Sequence, residues 1–480
     1  MTQPRPIRLC HDETAHARGR LTGRALNWAD RPSPFMACGD VPAAPLPPDT
    51  PLPDVPLDRA TAPREPKPGP DMGRVLSGVC VLAAGITRAR ELSDGKVFHF
   101  RAAPSAGALY PTELYVAVQG LRGPEDGLYH YCPLRHRLER LRTGRVLDTG
   151  PDAGPAIRFF LSSVFQRSAW KYGPRAYRYC LLDAGHMAEN LYLAARIHGL
   201  PAVIDYDFND AAVNRFLAVD PDHEGCLVQV YALGCGPDAD VLESARPTAD
   251  GLAARSAPAG TPVPEAILEA HRLTSSFARC PACPPPVEPG RAEPLPDPVI
   301  PAATAETILR RRSLRNFTDK PADPRPLRRL LALLARDLPP VCADSLCTGF
   351  LAGERSGIPP GHYRLDRAAH CAVQRLSGDL LAGSARACLD QGWLENAALH
   401  LTFSTDIAGL EARCGPRAYR YALLEAGRLG ELAYLAATGQ GLGACGIGAF
   451  FDAELAELLR LPEGHSPLYL VGLGPVRKSR

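Results

Sequence analysis

The chain has 480 residues, 45% of them apolar, which is ample for two ordinary cores and long for one. Its 54 basic and 52 acidic residues leave a net charge of +2, so the basic excess of a dedicated nucleic-acid binder is missing. No apolar run reaches the roughly 18 residues of a membrane span, and the opening "MTQPRPIRLCHDETAHARGR" has no apolar stretch of the kind a secretion signal carries.

Residues 1–70 read as a proline-rich arm, since "VPAAPLPPDTPLPDVPL" can hold neither a helix nor a central strand. A first regular unit follows over 71–237. In it "RAAPSAGALYPTELYVAV" sets Pro104, Ser105, Ala106 and Gly107 just before an apolar, β-branched strand. Such a turn offers backbone amides and a hydroxyl to the edge of a ligand. Further on, "YRYCLLDAGHMAENLYLAARIHG" spaces Leu181, Leu182, Gly185, Ala188, Leu191 and Ala195 as one helix, ending at Gly199. Its small residues would let another helix come close. Residues 238–300 read as an irregular linker with one helical candidate, "PEAILEAHRLTSSF". The linker also holds Cys280 and Cys283 as a CxxC. No second ligand pair lies nearby, so no metal site is expected. The fifteen cysteines, odd in number and scattered, suit a reduced, cytoplasmic protein.

A second regular unit spans 301–480 and opens with "RRRSLRNF". Arg311, Ser313 and Arg315 alternate, so an extended segment would send all three to one face. Two guanidiniums and a hydroxyl on one face suit a phosphate. Farther along come "QGWLENA", the glycine-rich "GLGACGIGAF" and the terminal "GLGPVRKSR", with Arg477 and Lys478 directly after the last predicted strand.

The two units repeat each other. Between Gly173–Leu200 and Gly415–Leu442, 18 of 28 positions are identical. Their differences are as telling as their likeness. Unit one has Lys171-Tyr172 where unit two has Arg413-Cys414. It has Asp238 and Asp240 where unit two has basic residues, and Asp205 and Tyr206 opposite Ile447 and Gly448. The second unit alone could hold a phosphate, and the first alone has the Ser/Gly turn. The expected fold class is therefore α+β. Each unit would have a central mixed or antiparallel sheet flanked by helices, and the two would form a pseudo-dimer within one chain.

Together "RRRSLRNF", "PSAGALYPTELYV", "GLYHY", "QGWLENA", "KYGPRAYRYCLLDAGHMAENLYLAARIHGL", "GLGACGIGAF" and "GLGPVRK" resemble the FMN-dependent nitroreductase superfamily. Within it they are most similar to the SagB-type azoline oxidases in tandem-domain form, and "HDETAH…LNWADRPSPF" resembles the leader of tandem members. The resemblance implies two nitroreductase-like units and one FMN. Arg311, Ser313, Arg315, Arg477 and Lys478 would hold its phosphate and ribityl chain. Gly446, Ile447 and Gly448 would lie under the ring. Pro104, Ser105, Ala106 and Gly107 would close it from the other unit, with Gln391 a further contact at the ring edge.

The resemblance also implies a Lys-Tyr pair near the flavin, a place that Lys171 and Tyr172 fit. Both residue types ordinarily titrate near pH 10, so either could be the base once its neighbour shifts it; Tyr172 is preferred, with Lys171 as activator. The implied reaction is oxidation of a thiazoline or oxazoline ring to an azole, in a ribosomally made peptide or related natural-product intermediate. The expected partners are that substrate and other biosynthetic enzymes, with the chain itself a monomeric pseudo-dimer or a homodimer. Two other readings stand beside it: an NAD(P)H-dependent nitro or quinone reductase, and a flavin-free partner in a biosynthetic complex.

Overall fold

The computed structural model describes residues 5–21, 25–36, 41–62, 71–93, 95–150, 154–236, 240–241, 262–276, 290–336 and 345–477. Lys478, Asp238, Cys280 and Cys283 lie outside these residues. The helices in chain order are α1 (Ile7–Glu13), α2 (Leu57–Ala60), α3 (Met72–Ala84), α4 (Phe165–Tyr172), α5 (Ala176–Ile197), α6 (Asp210–Leu217), α7 (Glu265–Thr274), α8 (Thr304–Arg310), α9 (Pro324–Leu334), α10 (Leu381–Ala387), α11 (Ile407–Cys414), α12 (Ala418–Gly439) and α13 (Asp452–Leu458). The chain forms two compact bodies, one drawn from 26–55 and 63–277, the other from 1–25, 56–62 and 278–480.

The first body is built on strands β1 (Ala43–Pro45), β4 (Thr112–Gln119), β5 (Gly127–Cys132), β6 (Arg137–Thr143), β7 (Ala156–Val164), β8 (Val203–Asp205) and β9 (Glu224–Leu233), with β2 (Ile86–Glu91) and β3 (Val97–Arg101) as a separate hairpin. The seven strands run in the order β1-β6-β5-β4-β7-β9-β8, with every neighbouring pair antiparallel. One face packs a core of Tyr115, Leu128, Leu141, Phe160, Phe216 and Leu217. Helix α5 is buried along its length except at Arg196, which explains why it is apolar or small on nearly every side. It ends where Gly199 takes φ +80, the left-handed stop that glycine permits.

The second body repeats this design. Strands β10 (Arg291–Pro294), β11 (Cys347–Ala352), β12 (Gly361–Asp366), β13 (Cys371–Ser377), β14 (Leu399–Asp406), β15 (Gly443–Ile447) and β16 (His465–Gly474) follow the order β10-β13-β12-β11-β14-β16-β15, again antiparallel throughout. Helix α12 has the same 22-residue length as α5. The start of the arm is seated on this body. The Ile7 amide donates to Glu411 Oε1 at 3.0 Å, His11 Nδ1 is 3.1 Å from the Tyr419 hydroxyl, and the His16 amide donates to Asp452 Oδ2 at 2.8 Å. Arm residues that the composition marks as unstructured thus gain order from specific polar contacts rather than from a core of their own. Among the described cysteines ten are free thiols, and Cys414 is disulfide-bonded.

Beneath β4 of the first body lies a buried charge cluster. Glu113 meets Arg167 Nη1 at 2.6 Å and His130 Nε2 at 3.0 Å, and His130 Nδ1 is 3.3 Å from Glu139. Burial opposes ionisation of Glu113, but Arg167, His130 and Arg101 outweigh it and hold the carboxyl at about 2. Because the folded value lies below the ordinary 4.5, this group adds stability above about pH 4.5 that is lost as the pH falls toward 2. Glu113→Gln should therefore lower stability at neutral pH by about 3 kcal/mol, the cost of leaving a buried guanidinium without its anion. Urea unfolding at pH 7 and pH 3 checks this: the gap between wild type and variant should shrink at the lower pH.

Candidate active site

In the first body the Ser105–Gly107 turn is tied down by one carboxylate. Asp183, on α5, accepts from the Ser105 hydroxyl at 2.6 Å and from the Ala106 amide at 3.1 Å, while the Tyr110 amide donates to Ser105 Oγ at 2.9 Å. Burial pushes Asp183 up to about 7, although the bonds from Ser105 and Ala106 work the other way. Gly107 has φ +63, a conformation suited to glycine. A methyl group placed there would come 2.7 Å from Tyr172 Oη and 3.2 Å from Lys171 Nζ. The turn and the Lys171-Tyr172 pair, more than sixty residues apart in sequence, therefore form one cluster.

Local structure places the pair. Helix α4 ends at Tyr172 because Gly173 turns the chain with φ 56. Lys171 Nζ lies 5.4 Å from the centre of the Tyr172 ring, and Tyr172 packs edge-on against Tyr179 at 4.6 Å. One residue earlier, Trp170 donates from Nε1 to the Asn27 carbonyl at 3.1 Å and packs edge-on against Trp28 at 5.4 Å. The arm's "LNWADR" thus braces the helix that bears Lys171 and Tyr172. Sequence reading missed this brace and Asp183, since each acts across a long separation; the acidic residue shared by the repeats, Asp183 and Glu425, was the available signal. Glu425 pairs with Arg428 at 2.9 Å instead.

In the second body three predicted segments come together. The Leu314 amide donates to the Ala444 carbonyl at 2.8 Å, the Thr318 amide to Pro475 at 2.9 Å, and the Arg477 amide to Asn316 at 3.1 Å. "RRRSLRNF" thus runs beside both the edge strand β15 and the segment following β16. Ser313, Arg315 and Arg477 are exposed along this run, while Arg311 is buried, its Nε 3.7 Å from Glu431 and its guanidinium over the Tyr434 ring at 5.6 Å. Arg315 lies over Trp393 at 5.5 Å. The alternation expected of the triad separates in space: Arg311 and Ser313 converge on Tyr434, and Arg315 turns to Trp393.

Tyr434 is the hub here. Its hydroxyl accepts from the Gly446 amide at 2.6 Å and is 3.0 Å from Ser313 Oγ. Burial pushes its pKa up, keeping it a neutral phenol. Gly446 is glycine for packing reasons, because a Cβ there would sit 1.8 Å from Tyr469 Oη. Ile447 points into the core with Leu394, Phe450 and Leu470. Gln391 donates its side-chain amide to the Cys388 carbonyl at 2.8 Å. At the matching place in the first body, Asp205 accepts from Tyr231 at 2.8 Å and Tyr206 is buried. Among the described residues no His/Cys/Asp/Glu group suits a metal, and no helix is long and apolar enough to cross a membrane.

These two residue sets sit on a duplicated fold that the nitroreductase family model matches over residues 80–236 and 308–475. The chain belongs to the nitroreductase family. A protein of Methanocaldococcus jannaschii named as a nitroreductase is 33% identical over 154 residues, 30% of this chain and 74% of its own. The trifolitoxin-processing protein TfxB of Rhizobium leguminosarum bv. trifolii is 33% identical over 140 residues, and the microcin B17-processing protein McbC of Escherichia coli 29% over 130. These stretches are 26% and 24% of this chain, and they span less than half of either processing protein, 38% and 48%. A crystal structure of a protein from Anabaena variabilis, titled as a nitroreductase, shares the fold over 99% of this chain and 100% of its own, with TM-score 0.80 and 24% identity.

The buried Asp183 predicts a pH effect. Its folded value, near 7, lies above the ordinary 3.8, so its contribution to stability is complete below about pH 4 and is lost as the pH rises toward 7. Asp183→Asn should flatten that part of the stability profile. Glu224, raised to about 7 chiefly by burial, keeps a slope of the same sign in the variant. Thermal melts from pH 4 to pH 8 check this; an unchanged profile would contradict the assignment.

Proposed function

We propose that the chain is an FMN-dependent dehydrogenase that oxidises azoline rings to azoles in a peptide or related natural-product intermediate. The observation that carries this reading is the meeting of Lys171 and Tyr172 at the Gly107 turn, because the resemblance to azoline oxidases singles out those same residues. The names of TfxB and McbC, each a processing protein for a toxin or microcin, support a peptide substrate.

The basic run fits the cofactor's phosphate; with Ile447 turned into the core and the Cβ side of Gly446 against Tyr469, the ring would meet backbone there. Exposed Arg315, Ser313 and Arg477 on one hydrogen-bonded run suit a phosphate, and they are assigned to it with Arg311 behind them and Lys478 beyond. Gly446, Ile447 and Gly448 are assigned to the ring, with Gln391 at its edge and Pro104, Ser105, Ala106 and Gly107 as the turn that meets it. When bound, FMN would supply the acceptor for the hydride that leaves the azoline ring.

The protein's own part is proton transfer and positioning. Tyr172, held as a phenolate by the neighbouring Lys171 ammonium, takes the proton from the neighbouring ring carbon at Oη and becomes a neutral phenol. Asp183 holds the turn in place through Ser105 and Ala106. Gly107 leaves room for both catalytic end groups.

Lys171→Ala and Tyr172→Phe should retain flavin, read from the absorbance of the purified variants, and lose turnover of a thiazoline peptide by roughly a hundredfold or more. Near-normal turnover in both would overturn the assignment. Rapid flavin reduction by NAD(P)H, with no azoline oxidation, would instead favour a nitro or quinone reductase, the activity that the archaeal relative's name carries.

A further inference from the structure

The turn that meets Lys171 and Tyr172 is under strain. Gly107, Ala108 and Tyr110 have φ of 63, 52 and 47°, and only the first is a glycine. Alanine and tyrosine stay in that left-handed region only where the surroundings hold them. Asp183 holds the front of the turn, and Arg167 holds its far end. Arg167 lies on α4 and donates from Nη1 to the Tyr110 carbonyl at 2.8 Å. The same nitrogen is 2.6 Å from Oε1 of Glu113 on β4, an ion pair without hydrogen-bond alignment. Both side chains are buried. Arg167 precedes Lys171 by four positions, so the two stand on the same face of α4, one turn apart. One guanidinium thus ties together the strained turn, strand β4 and the helix that bears Lys171 and Tyr172.

The duplication supplies an internal control. By strand register Cys347, opposite Ser404, takes the place that Glu113, opposite Ser162, has in the first body. Helices α4 and α11 are both eight residues long and both are followed by a glycine, which sets Gly409 in the place of Arg167. No longer side chain fits there as the second body stands: a Cβ on Gly409 would come 2.2 Å from Oδ2 of Asp406, the residue that caps α11. Both members of the ion pair are therefore missing from the body that has Arg413-Cys414 in place of Lys171-Tyr172. The common antiparallel fold forms without the pair. What the pair accompanies is the strained turn and the two end groups beside it.

We propose that Arg167 is a positioning residue for the proton transfer: paired with Glu113 and bonded to the Tyr110 carbonyl, it locks α4 to the strained turn and so keeps Lys171 and Tyr172 against Gly107. The proposal rests on the azoline reading and adds to it the residue that holds the pair in place. Glu113, with its carboxyl held at about 2, is ionised at any practical assay pH, so the lock does not open as the pH changes. Without it α4 would be free to draw the Lys171 ammonium away from the Tyr172 hydroxyl, which disfavours the phenolate.

The test uses the full chain, saturated with FMN, and a short thiazoline peptide. Arg167→Gln should lower kcat roughly tenfold or more while KM and bound FMN stay within about twofold of wild type. The acid limb of its kcat profile against pH should move up by about one unit, toward the ordinary tyrosine value. Arg167→Lys, which keeps a charge opposite Glu113, should recover most of the turnover and the original limb. Circular dichroism verifies that each variant is folded. If Arg167→Gln does not fold, the double variant Glu113→Gln/Arg167→Gln takes its place with the same expectations. An unmoved acid limb, or an Arg167→Lys variant no better than Arg167→Gln, would overturn the proposal. If the wild type itself turns over no thiazoline peptide, the azoline reading fails, and hydrogen exchange then decides what Arg167 holds. Amides of residues 105–111 should exchange roughly tenfold faster in Arg167→Gln, with the second body unchanged. Unchanged exchange in the turn would overturn the positioning role as well.

Discussion

The first body's Lys171-Tyr172 cluster depends on the Asp183 carboxyl. It is buried on a helix that is itself buried, and it captures both the hydroxyl and the amide of a two-residue turn. That capture fixes where Gly107 lies, and Gly107 lies against the end groups of Lys171 and Tyr172. A carboxylate so deeply placed would rather be neutral, which is why its pKa rises. The turn's two donors offset part of that cost. The second body has an acidic residue at the equivalent place, Glu425, but spends it on an ion pair one helical turn away.

Two copies of one antiparallel topology have thus been put to different uses. In the first, the sheet face opposite the long helix is closed by aromatic rings, and a buried ionic cluster lies beside it. In the second, smaller and polar residues at the same register leave space. The edge strand differs as well. In the first body the edge carries Asp205 and Tyr206, bound inward, while in the second β15 runs beside a basic segment and donates its Gly446 amide to Tyr434. A fold held up by its backbone ladder and core tolerates such exchanges at the ends and faces of strands, where side chains rather than the ladder decide what is bound.

Much of this was legible in the sequence. The duplicated helix and the Ser/Gly turn are local patterns, and each falls on the element expected of it, while the glycine-rich segment, read as a turn, forms the edge strand β15. The nitroreductase resemblance likewise agrees with the family match and the shared fold. What could not be read depends on distant residues meeting. Gly446 looks from sequence like an opening for a flat ligand, yet the space beside it is taken by Tyr469 from the neighbouring strand. Arg311, Ser313 and Arg315 alternate as written, but Tyr434 draws in the first two and Trp393 the third. The brace of Trp28 on Trp170 joins residues that no periodicity connects.

The central claim is that one chain uses one FMN, held by the basic run of its second half. The most direct measurement is the amount of FMN released on denaturing the purified protein. The account predicts about one FMN per chain. About two per chain, or none in a folded protein that also fails to take up added FMN, would contradict it.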